Sequence, residues 1–144
     1  DSIAINLLEP YEINNLSIER GSLNKEERLE IESHVTHTFR FLSQIPWTSE
    51  LKNVPEIAFA HHEKLNGSGY PRQLHSEDIP IQSKMMTISD IYDALTASDR
   101  PYKKALPASR ALDILGYEVK DGNLDYQLFE LFKETKVYER VLYI

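Results

Sequence analysis

Two of the five histidines in this 144-residue chain are consecutive: His61 and His62 stand directly before Glu63 and the run Asn66-Gly67-Ser68-Gly69-Tyr70-Pro71. On a helix, successive side chains point about 100° apart, which suits one ligand to each of two neighbouring metal ions. The other reading of such a pair is a packed or surface dipeptide, and on the pair alone both stand open. His34 lies within a helical run, with His37 one turn further along. Asp90 sits between the apolar Ile88 and Ile91, with Asp93 three residues on. A carboxylate turned to a core needs a partner or an ion, whereas one turned outward is simply hydrated; the pattern fits either. Together, His34, His61, His62 and Asp90 form a nitrogen-rich donor set completed by an oxygen. Such a set suits iron, manganese or zinc rather than calcium or an iron–sulfur cluster. An ion held this way acidifies water and stabilises charge growing on a phosphoryl group. Some ten residues past Asp90 comes the turn Ser98-Asp99-Arg100-Pro101-Tyr102-Lys103-Lys104. Arg100 with its planar fork and Lys103 as a point charge suit phosphate oxygens, or else both complement a helix C-terminus and nearby acids.

Few other chemistries compete. The chain has no cysteine, which excludes disulfides, thiolate catalysis and Cys-ligated zinc. It has no Walker loop and no GxSxG elbow. Sixteen Lys and Arg against 23 Asp and Glu leave a net charge of −7, so DNA binding over a general basic surface is not expected. No apolar run approaches the roughly 20 residues that span a bilayer. The opening residues DSIAINLLEPYE lack the basic start and apolar stretch of a signal peptide, and a cytoplasmic location is expected. The chain starts with Asp rather than Met and reads as a piece of a longer protein.

The elements that must position these residues are helices. Asn24 with Glu27 three residues later is a capping-box arrangement, opening KEERLEIESHVTHTFRFLSQI with Leu29, Val35, Phe39 and Leu42 at helical spacings until Pro46. Trp47 is a packed anchor where this helix ends. Pro55 suits the first turn of a second helix, PEIAFAHHEKL. LNGSGYPRQLHSEDIP is a loop. A third helix covers about Ile81 to Ser98, with Met85, Ile88, Ile91, Tyr92 and Leu95 on its apolar face. Pro107 opens a fourth helix, ASRALDILGY, and LDYQLFELFKET makes a fifth. No segment shows sustained strand alternation, so the fold class is all-α, in one domain of ordinary size. Residues 1–21 form a lead-in. The tail at 137–144, VYERVLYI, either packs on the core or pairs with a partner. His37 and His75 carry no motif support and read as structural.

HHEKLNGSGYP strongly resembles the HHExxDGxGYP signature of HD-GYP domains, the cyclic di-GMP phosphodiesterases of the HD metal-dependent phosphohydrolase superfamily. ISDIYDALTASDRPYK resembles that family's later metal-binding helix and the phosphate-contacting turn after it, and LNKEERLEIESH its helix with an isolated ligand histidine. The resemblance runs from about Ser22 to Leu115 and implies a helical bundle of about five helices, here at 22–136. It implies that His34, His61, His62 and Asp90 are metal ligands and that Tyr70 belongs to a loop beside the substrate. Arg100 and Lys103 would bind the phosphates. Gly67 and Gly69 would let the loop before Pro71 turn tightly. Two or three divalent ions, iron or manganese, would be the cofactors. Cyclic di-GMP would be cut to pGpG or GMP, and a diguanylate cyclase domain is a candidate partner of the GYP loop.

Two departures from the family pattern stand out. The family's Asp in DGxGYP is Asn66 here, which keeps a turn-forming side chain, so a modest effect is expected. More seriously, no histidine precedes His34 and no His-Asp dipeptide occurs anywhere, so the chain supplies no catalytic dyad. The expectation is the carboxy-terminal part of an HD-GYP domain, active in its parent and nearly inactive alone. The alternatives are a related enzyme for another cyclic dinucleotide or nucleoside phosphate, and a non-catalytic module that binds a cyclic dinucleotide or a signalling protein. A half-domain with uncovered apolar surface would also favour a homodimer.

Overall fold

The computed structural model describes residues 24–97 and 105–139. Among the described residues five α-helices follow one another: α1 (Lys25–Leu42), α2 (Val54–Phe59), α3 (Ile81–Thr96), α4 (Ala108–Lys120) and α5 (Tyr126–Thr135). Single 3-10 turns lie at Ser76–Asp78 and Val137–Glu139. Among the described residues there is no strand, only an isolated bridge between Asn66 and His75. The all-α expectation holds. No helix among the described residues is long and apolar enough to cross a membrane.

The chain falls into two compact units, Asp1–His34 and Val35–Ile144. In the first, the described residues form the opening turns of α1. The capping box is present and reciprocal: the Glu27 backbone N–H donates to Asn24 Oδ1 at 2.8 Å, and the Asn24 N–H donates to Glu27 Oε2 at 2.8 Å. Two helix-end donors are thereby satisfied. Leu29, expected on the apolar stripe, is 66% exposed. At 100° per residue it falls about 120° away from Val35 on the helical wheel, outside the arc that Val35, Phe39 and Leu42 share.

The second unit is built on α3, α4 and α5. Ile88, Leu115, Leu124 and Phe129 form its buried core, with Ile91, Tyr92, Leu112 and Phe132 packed around them. Val35 is fully buried, and Phe39 stacks on Phe59 with ring centroids 4.4 Å apart. Trp47 does anchor the end of α1, its indole N–H donating to the Leu42 carbonyl at 2.8 Å. Met85, assigned to the apolar face of α3, is exposed. It lies 60° to one side of Ile88 on the wheel, on the rim of a hollow of about 320 Å³ lined also by Leu131, Phe132 and Val137. In the tail, the Tyr138 ring packs on Tyr92 at 5.0 Å and on Phe132 at 5.3 Å. The described part of this segment therefore lies on the core. Residues 140–144 lie outside the described residues, as do the lead-in at 1–21 and both phosphate-binding candidates, Arg100 and Lys103.

One helix is shorter than its sequence suggests. The second helix was expected to run through His61 and His62, but α2 stops at Phe59. A continuing helix would offer the His62 carbonyl to the N–H of Asn66. Instead that carbonyl accepts from the N–H of Tyr70 at 3.2 Å. The Leu65 N–H, which a continuing helix would give to the His61 carbonyl, donates instead to the Asn123 carbonyl at 3.1 Å, and the histidine pair stands in a turn.

Candidate metal centre

His61 is buried, and its Nδ1 donates to the carbonyl of Ala58 at 2.6 Å. A carbonyl only accepts, so the proton is on Nδ1 and the ring's lone pair is on Nε2. Metal-binding imidazoles are commonly oriented in this way, with one nitrogen tied to a backbone oxygen and the other presented to the ion. The His62 ring lies 4.0 Å from that of His61, inclined by 40°, and stacks on Tyr70 at 4.9 Å. Ligand nitrogens of the two rings come within 4.8 Å of one another. His34, in the first unit, is exposed and has the same tautomer, because its Nδ1 donates to the Ile31 carbonyl. In donor chemistry and in tautomer these imidazoles fit a divalent transition-metal ion.

The backbone of the histidine turn is held by α3. Ser83 Oγ donates to the Ile57 carbonyl at 2.9 Å, and Thr87 Oγ1 donates to the His61 carbonyl at 2.6 Å. Both hydroxyl-bearing residues are buried. They give hydroxyl donors to one carbonyl in the last turn of α2 and one in the turn just after it. Asp90 follows Ser83 by seven residues, about 20° away on the wheel, so it shares the face of α3 that meets the histidine turn. Neither Asp90 nor Asp93 is turned into the core; both are exposed. Asp93 lies on another side of the helix, beside a hollow lined by Tyr92 and Thr96.

The loop from Asn66 to Leu74 closes over His62. Gly67 has φ of +78°, a conformation that L side chains rarely adopt, and the His75 ring lies against it. Gly69 is needed for a different reason than the expected freedom of backbone angle. A Cβ there would lie 2.4 Å from the Lys64 nitrogen and 2.5 Å from Glu63 Cα, so only a bare backbone fits. Asn66 Oδ1 accepts from the Ser68 N–H at 3.0 Å, which is the turn-forming role expected of it. Its Nδ2 also donates to Asn123 Oδ1 at 2.8 Å, tying the loop to the turn between α4 and α5. Pro71 is exposed and follows a cis peptide bond from Tyr70.

Four supporting residues carry no role in the sequence analysis. Ser83 and Thr87 carry a legible signal, hydroxyls at i and i+4 on an apolar helix just before Asp90. Glu63 belongs to the histidine motif itself. Asn123 has no local signal, because its partner Asn66 is 57 residues away.

Residues 6–128 match the protein family described as the HD domain. The chain is 34% identical over 115 residues to 3'3'-cGAMP-specific phosphodiesterase 3 of Vibrio cholerae, covering 80% of this chain and 24% of that protein. It is 38% identical over 111 residues to 3'3'-cGAMP-specific phosphodiesterase 1 of the same organism, covering 77% and 25%. With a cyclic di-GMP phosphodiesterase of Thermotoga maritima it shares 37% identity over 124 residues, covering 83% and 33%. The chain thus spans about a quarter to a third of the length of these relatives.

Proposed function

Because this chain belongs to the HD-domain family, in its HD-GYP form, we propose that it is part of a metal-dependent cyclic dinucleotide phosphodiesterase. Cyclic di-GMP, opened to pGpG or carried on to GMP, is the leading substrate. The observation that carries this reading is the histidine pair: two rings in contact, one locked by a backbone carbonyl and the other stacked under Tyr70. We assign His34, His61, His62 and Asp90 as this chain's donors to a site of two or three ions, iron or manganese. Bound ions of this kind acidify water and stabilise the negative charge that grows on a phosphoryl group.

The protein's own residues have separable roles in this proposal. His61 and His34 present Nε2 because their Nδ1 protons are engaged. Tyr70 holds the plane of His62 and, with the exposed Pro71, borders the place of the substrate. Arg100 and Lys103 are assigned to the phosphate oxygens. The helical body at 22–136, the lead-in at 1–21, the tail at 137–144 and a cytoplasmic location belong to the same proposal. Four donors and no His-Asp dipeptide leave the 144-residue chain short of a full site, so little turnover is expected from it alone.

Two relatives named for 3'3'-cGAMP favour that molecule as the second substrate reading. The exposed run Pro71, Arg72 and Gln73 favours a different class of function, a non-catalytic module docking a diguanylate cyclase domain. One experiment separates the three. The full-length protein, loaded with Mn²⁺ or Fe²⁺, is incubated with cyclic di-GMP and 3'3'-cGAMP, and linear products are quantified. Hydrolysis that a chelator abolishes and that His61→Ala, His62→Ala and Asp90→Ala each suppress by at least a hundredfold supports the enzyme. The preferred nucleotide decides the substrate. Binding without any hydrolysis would leave the module.

A further inference from the structure

Glu63 is a buried carboxylate, 2% exposed, immediately after the histidine pair. Such a group is costly unless hydrogen bonds compensate it. Here its two oxygens take one backbone donor each: Oε1 accepts from the Arg72 N–H at 2.7 Å and Oε2 from the Leu74 N–H at 2.9 Å. Between these two donors Gln73 has φ of +56°, and this left-handed residue turns both N–H groups toward the same carboxylate. Tyr70, two residues before Arg72, gives its N–H to the His62 carbonyl and lays its ring on the His62 ring.

We propose that Glu63 is a positioning residue for His62, acting through the loop that carries Tyr70. The carboxylate ties down residues 72 and 74, this holds the Tyr70 ring in place, and Tyr70 keeps the imidazole of His62 at one inclination. Two acceptors are required, because both partners are donors. A glutamine has the same shape but offers one acceptor and one NH₂, which would face a backbone N–H. The metal arm of this proposal rests on the functional reading above; the ring-positioning arm does not.

The test compares the chain with its Glu63→Gln and Tyr70→Ala variants, using metal-free NMR contacts between the His62 and Tyr70 rings and Mn²⁺ affinity read from broadening at His62. Glu63→Gln is expected to lose the ring contacts and to weaken Mn²⁺ about tenfold or more, the usual effect of removing an outer support of a metal ligand. Because both changes act through one loop, adding Glu63→Gln to Tyr70→Ala should cost little more affinity. Intact ring contacts in a folded Glu63→Gln chain would overturn the proposal, as would unchanged Mn²⁺ affinity. If the unaltered chain binds no Mn²⁺, its four donors do not hold an ion by themselves, and the ring contacts alone decide the role of Glu63. Should Glu63→Gln not fold, hydrogen exchange in the unaltered chain serves instead. Strong protection of the Arg72 and Leu74 amides supports the proposal, and rapid exchange at both overturns it.

Discussion

The hydroxyl of Thr87 lies 2.6 Å from the backbone carbonyl of His61, and this contact joins α3 to the histidine turn. The same hydroxyl lies 2.8 Å from the Ser83 carbonyl one turn earlier, so a single proton serves two buried acceptors. Thr87→Val keeps the volume but leaves the His61 carbonyl without this donor. A loss of about 1–3 kcal/mol is expected from the unsatisfied group, measured as the urea midpoint, while Thr87→Ser stays within about 1 kcal/mol of the parent. Equal stability of the valine variant would show that the contact does not hold the turn.

The two motif glycines should respond to alanine for different reasons. At Gly69 the new Cβ meets backbone on three sides, which cannot swing away, and a loss of roughly 2–3 kcal/mol is expected. At Gly67 the obstacle is the His75 ring together with a φ of +78°. Adding His75→Ala should therefore recover part of the Gly67→Ala loss, leaving a conformational cost of about 1 kcal/mol. The same second change should do nothing for Gly69→Ala. Thermal unfolding of the four variants checks this.

Gln73 is the converse case, a residue with a side chain in left-handed backbone. Gln73→Gly should relieve the local cost, offset in part by greater freedom of the unfolded chain, for a net gain of up to about 1 kcal/mol. A clear loss of stability would mean that the side chain itself makes a contact worth more than the strain.

Restoring the family's aspartate at Asn66 should weaken the chain. Asn123 donates to Glu118 Oε2 at 2.7 Å, and Glu118 as a carboxylate can only accept, so Asn123 must present its oxygen to Asn66. An aspartate at 66 would set oxygen against oxygen, at a cost of about 1 kcal/mol. With Glu118→Gln added, the relay can reverse and the loss should shrink. Denaturant melts of the two single variants and the double variant decide the matter.

Tyr92 predicts an alkaline limit. Burial chiefly, then the neighbouring Tyr138 and Glu139, raise its pKa above the ordinary value of 10.0. The folded chain therefore holds the phenolic proton more tightly than the unfolded chain. Its contribution is complete below pH 10 and is lost as pH rises through the elevated value. Tyr92→Phe keeps the ring against Phe132 and Tyr138 and should flatten this alkaline decline without changing the neutral-pH melting profile greatly.

What the sequence determined by itself was local or carried in a contiguous motif. The reciprocal bonds of Asn24 and Glu27, the helical character of all five segments and the turn made by Asn66 depend on neighbours within a few residues, and periodicity exposes them. The histidine motif was legible because its chemistry-bearing residues are consecutive. Tertiary structure decided the rest. Leu29 and Met85 belong to the apolar pattern yet are exposed, whereas Ile91, offset from Ile88 by the same 60° as Met85, packs on the core, because what is covered depends on what packs against the helix. α2 ends two residues before His61, and the groups that a further turn would pair have distant partners instead: the His61 carbonyl accepts from Thr87 and the Leu65 amide donates to Asn123. Glu63, Thr87 and Asn123 acquire their roles only when loop, α3 and the α4–α5 turn meet, since a hydrogen bond between distant residues leaves no period and no spacing to read.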